Sequence, residues 1–120
     1  MIRLTDSEIY ALRSIQLKMW QISHDAGWHN KEREDGTMIA LCHSELSEAL
    51  EGFRKNLNDT HLPHRKMDEV EMADCVIRIL DFAQKNGFDI AEALDEKSVY
   101  NQIRPDHKLE NREKEGGKAF

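Results

Sequence analysis

Met67-Asp68-Glu69-Val70-Glu71-Met72-Ala73-Asp74-Cys75-Val76-Ile77-Arg78-Ile79-Leu80-Asp81-Phe82-Ala83 is apolar nearly all the way round a helical wheel. A helix of that kind is buried, unlike the one-sided helices of a protein surface. Its charged stripe consists of Glu71, Asp74, Arg78 and Asp81. A buried carboxylate without a partner is strongly unfavourable or takes up a proton, so something compensates the stripe. Arg78 pairing with Asp74 and Asp81 within the helix is one compensator. Divalent cations are the other.

The other elements are read outward from this helix, which the sequence opens at Pro63 and stops at Asn86-Gly87. Upstream, Ile9, Leu12, Ile15, Met19 and Ile22 recur every three or four residues. They predict a first helix from about Ser7 to Asp25, capped by Asp6 or Thr5 and ended by Gly27. A polar loop, Trp28 to Asp35, leads to a second helix from about Thr37 to Asn56. Asp89 caps a fourth helix that ends before Pro105. No segment alternates as a strand does, and there is no internal repeat. The expected class is all-α: a four-helix antiparallel bundle over residues 1–104, followed by a polar tail, 105–120.

Of the 120 residues, 39% are hydrophobic and 33% charged, which suits one modest core under a heavily charged surface. Seventeen basic against twenty-three acidic residues leave a net charge of −6. A surface of that sign repels a nucleic-acid polymer. No stretch is apolar enough to span a membrane, and the N-terminus lacks the apolar run of a signal peptide, so a cytoplasmic location is expected. Cys42 and Cys75 have no CxxC spacing and read as reduced core thiols.

Two acidic doublets carry the chemistry. Glu45-Leu46-Ser47-Glu48 lies on the second helix and Glu71-Met72-Ala73-Asp74 on the third. Residues three apart share a helix face, so each helix presents two carboxylates side by side. ExxE on a solvated face is common. Here, however, Leu41 projects between Glu45 and Glu48 and Gly52 projects nearly the same way, while Ser44, Ser47, Glu51 and Arg54 look outward. Four carboxylates without clustered Cys or His form a hard, all-oxygen set that suits Mg²⁺ or Mn²⁺ rather than zinc. Mg²⁺ usually completes its shell with water and substrate phosphate, so a phosphate-containing substrate is the expected partner.

At these positions the chain resembles the MazG-like, all-α NTP pyrophosphohydrolases, which carry ExxE on one helix and ExxD on the next. Glu45, Glu48, Glu71 and Asp74 match in type, order and spacing. Downstream, Lys97-Ser98-Val99-Tyr100-Asn101-Gln102-Ile103-Arg104-Pro105 is similar to the Lys-x-x-x-Asn-x-x-Arg-Pro segment of short members, frequent in bacteriophages. Gly116-Gly117-Lys118 resembles their closing tail. Two features depart from the pattern: Ser44 stands where many relatives have a further glutamate, and the link Asp106 to Glu115 is longer and more charged.

The resemblance implies Mg²⁺-dependent hydrolysis of a nucleoside triphosphate to the monophosphate and pyrophosphate. Glu45, Glu48, Glu71 and Asp74 would hold the metal, with Glu48 or Glu45 doubling as general base. Lys97, Asn101 and Arg104, on one face of the fourth helix, and Lys118, in a tail folded over the site, would contact phosphate and sugar. Trp20, His24 and Trp28 are the candidates for the base, with guanine (dGTP or GTP) favoured because His24 and Asp25 suit its edge. The family forms dimers or dimers of dimers, and a nearly all-apolar third helix in so small a subunit points the same way. If the chain is phage-encoded, the location is the host cytoplasm. The competing readings are a dCTP- or dUTP-type pyrophosphatase with the same metal helices and a non-catalytic helical interaction module.

Overall fold

The computed structural model describes residues 1–114 and 116. The chain is helical: α1 spans Asp6–Asp25, α2 Asp35–Lys55, α3 Met67–Lys85, α4 Ile90–Ile103 and α5 Leu109–Arg112, with a 3₁₀ turn at Pro105–His107. No β-strand occurs among the described residues, only an isolated bridge between Asn58 and Lys66. The all-α expectation holds. No helix among the described residues is long and apolar enough to cross a membrane.

The chain divides into two compact units, residues 14–88 and residues 1–13 with 89–120. In the larger unit α2 and α3 form an antiparallel hairpin. The sequence of contacts shows the direction: Asp35 bonds Lys85, Cys42 O accepts from Cys75 Sγ, and Gly52 lies against Met67. A Cβ at position 52 would sit 2.7 Å from the Met67 side chain, so glycine sets how closely the helices approach there. The core is thin. Met38, Ala49, Cys75, Leu80 and Ala83 are its buried apolar residues, and no large side chain is completely enclosed.

The helix ends follow local chemistry. Glu34 caps α2 by accepting from the N–H groups of Gly36 and Thr37. Gly27 and Gly87 take positive φ after α1 and α3, and in each case the next residue's N–H closes the last turn, Trp28 onto Ser23 and Phe88 onto Ala83.

Two expectations are corrected. The third helix starts at Met67, not Pro63. The buried Asp59 carboxylate accepts from the N–H groups of His61 and Leu62, and Asp59 N donates to Arg65 O. That turn takes up Arg65 O, and Asn58 Nδ2 donates to Pro63 O, so two carbonyls that a helix opening at Pro63 would turn to its own N–H groups are engaged elsewhere. Nor is the third helix buried all round: Met72 is 54% and Val76 53% exposed, because both lie away from the α2 contact.

In the smaller unit Thr5 and Glu8 cap the start of α1 reciprocally, Thr5 Oγ1 accepting from Glu8 N and Glu8 Oε1 from Thr5 N. Asp95, on α4, accepts from Arg3 and from Leu4 N, both at 2.9 Å. Asp89 caps α4 through Glu92 N and pairs with Arg13.

Candidate metal and nucleotide site

The α2–α3 hairpin brings three of the four sequence-predicted acids together. Carboxylate oxygens of Glu45, Glu71 and Asp74 all lie within 4.8 Å of one another. Glu45 is 7% exposed. Glu48, one turn along α2, is exposed and stands outside this group, but it is hydrogen bonded to Glu45 and its charge acts on Glu71.

The electrostatics show a shortage of positive charge. Burial, a hydrogen bond shared with Glu45, and the charges of Glu48, Glu45 and Asp74 push the Glu71 carboxyl up to about 8. Burial and the Glu45 charge also raise Asp74. Burial works against ionisation of Glu45 too, but bonds from Arg78, Glu71 and Glu48 outweigh it and hold this carboxyl below its usual range. Ionisation is thus favoured at Glu45 and opposed at Glu71.

Arg78 gives its hydrogen bond to neither partner expected of it, although its charge still favours ionised Asp74. Its Nε donates to Glu45 Oε1 at 2.8 Å, across the hairpin. Asp81, 6% exposed, is satisfied from elsewhere. Ser23 Oγ, at the end of α1, donates to its Oδ2 at 3.0 Å, and Arg33 Nη1 donates to the same oxygen at 3.1 Å. His29 Nε2 is hydrogen bonded to Oδ1 at 2.7 Å. The loop between α1 and α2 is therefore tied to α3 through one carboxylate.

A cavity of about 540 Å³ opens beside the cluster. Its walls mix apolar groups from α1 and the loop (Met19, Ile22, Ala26, Trp28) with Glu45, Asp74, Arg78, Asp81 and Arg33. Of the three residues proposed for the base, Trp28 lines this cavity and is 66% exposed. Trp20 and His24 do not. They stack on each other at 4.8 Å, and with His29 and Arg33 they line a separate polar pocket of about 420 Å³.

In the other unit, Lys97 lies over the Tyr100 ring and Arg104 pairs with Asp106 at 3.3 Å. Asn101 is half-buried between them on α4. Lys118 lies outside the described residues.

Sequence reading missed Ser23, His29 and Arg33. The His29 side chain is buried against Asp81. The available signal was Asp81 itself, an acid on a mostly apolar helix. No family model, curated protein or solved structure matches the chain.

Proposed function

We propose that the protein is a divalent-metal-dependent nucleoside triphosphate pyrophosphohydrolase, converting a (d)NTP to the (d)NMP and pyrophosphate. One observation carries the reading: three carboxylates from two helices converge within 4.8 Å, and two of them, Glu45 and Asp74, line a cavity that also bears apolar groups and a tryptophan. The donor set fits a hard cation, because Arg78 answers one charge and Glu71 must otherwise keep a proton. Glu45, Glu71 and Asp74, with Glu48 at the rim, would hold Mg²⁺ or Mn²⁺. Bound there, such ions neutralise phosphate oxygens and lower the pKa of a water.

The residues of the chain do the rest. Glu48, the exposed member of the doublets, is suited to take a proton from the attacking water, and Glu45 is the alternative. Arg78 keeps Glu45 ionised and oriented. Trp28 offers a ring face to a base. The phosphate role of Lys97, Asn101, Arg104 and Lys118 rests on the sequence resemblance alone.

Self-association is part of the proposal. Cys42, Leu46, Cys75 and Ile79 line an apolar groove on the hairpin, and Leu50, Phe53, Met72 and Val76 are exposed nearby. Apolar surface of that extent on α2 and α3 suits a homodimer or a tetramer. The experiment is a panel of canonical NTPs and dNTPs with Mg²⁺, read for products. Pyrophosphate and monophosphate are expected. Diphosphate with inorganic phosphate, or no turnover of any nucleotide, overturns the reading.

A further inference from the structure

We infer that Arg33, fixed by Asp81, reads the edge of the substrate's base and selects a base with two adjacent acceptors, guanine before the others; the inference rests on the nucleotide reading of the cavity. Its footing is the arrangement of cations along α3. The acid cluster marks the phosphate end. Asp81 is seven residues past Asp74, which is about 10 Å along the helix axis. That separation suits the span from a metal-bound phosphate to a base. Arg78 lies between the two ends and is claimed by Glu45 at 2.8 Å. Arg33, bonded to Asp81, lies at the far end, and it lines the same cavity as Trp28, Ile22 and Ala26.

Arg33 is also held in place. Its Nη1 donates to Asp81 Oδ2 at 3.1 Å, and its side chain is largely covered. Asp81 cannot drift, because Ser23 and His29 hold it from two other directions. A guanidinium has five N–H donors in a rigid fork, and this bond to Asp81 uses one. A fixed donor fork matches the O6 and N7 acceptors of guanine. Adenine places an amino donor beside N7, and cytosine presents an amino donor at the equivalent edge, so both leave the fork opposed. Uracil and thymine offer a single carbonyl there. His24 and Asp25, by contrast, are not among the residues lining the cavity.

The test is binding, read by tryptophan fluorescence, of α,β-imido analogues of dGTP, dATP, dCTP and dUTP with Mg²⁺. Wild type, Arg33→Met and Arg33→Lys are compared, alongside pyrophosphate release from the natural nucleotides. The wild type should bind the guanine analogue about tenfold or more tighter than the adenine one. Arg33→Met should bring that ratio to near unity while the Mg²⁺-induced rise in Tm persists. Arg33→Lys keeps the ion pair with Asp81, so the loop stays anchored, but it lacks the fork and should lose the ratio too. A wild type without guanine preference, or either variant retaining it, overturns the inference. Guanine-selective binding without pyrophosphate release leaves it standing and sinks the hydrolase reading. Pyrophosphate release with an unchanged ratio in the variants does the reverse.

Discussion

Asp74 separates a metal ligand from a structural acid. Its carboxyl is raised by burial and by the Glu45 charge, so removing its charge relieves repulsion in the metal-free protein. Asp74→Asn should melt at or above wild type in EDTA and should lose the Mg²⁺-induced rise in Tm, since a neutral amide binds a hard cation weakly. Thermal melts with and without Mg²⁺ measure both, and a variant melting lower than wild type in EDTA contradicts the metal role. Glu71 fixes the pH dependence. Its folded-state value of about 8 lies above the ordinary 4.5, so the native state keeps a proton that the unfolded chain releases. The associated stability is complete below about pH 4.5 and is lost as pH rises through 8. Glu45 is shifted the other way and acts at lower pH, so it does not cancel this window. In EDTA, Tm should fall between pH 5 and 8, and Glu71→Gln should flatten that fall. The acids were legible because ExxE and ExxD place their own members on one face. Arg33 and His29 were not, because their link to Asp81 crosses about fifty residues and no local pattern announces it.

At the scale of elements, Gly52 governs the spacing of α2 and α3. Gly52→Ala would normally favour a helix. Here the new Cβ would meet the Met67 side chain at 2.7 Å, so α2 and α3 must part or Met67 must repack. The variant should lose about 1–3 kcal/mol of stability, as overpacked sites do, and bind Mg²⁺ more weakly; chemical denaturation and calorimetric titration measure the two effects. Helix ends were largely legible, since Thr5, Gly27, Asn86-Gly87 and Asp89 carry the capping chemistry in their own side chains or backbone freedom. The start of α3 was not. Pro63 is compatible with a first helical turn, but Asp59, four residues earlier, draws the chain into a different turn.

For the molecule as a whole, the apolar residues outnumber what its core encloses. Leu46, Leu50, Phe53, Met72 and Val76 are all exposed. Sedimentation at micromolar concentration should therefore show at least a dimer. Leu46→Glu, which places a charge in the apolar hairpin groove, should shift the protein toward the 14.0 kDa monomer. The apolar circumference of α3 was legible as a demand for cover. The sequence pattern did not reveal that α2 covers one side and leaves the other open, because periodicity reports how apolar a face is and not what lies against it.

The knot of Ser23, His29 and Arg33 on Asp81 has a kinetic meaning. A ligand that must wait for a wall to swing into place binds in two phases, the slower one independent of its concentration. Here that wall is already secured to α3 before any ligand arrives. For a ligand of this cavity, stopped-flow mixing should therefore give a single phase whose rate rises with concentration, with differences among ligands in the dissociation rate.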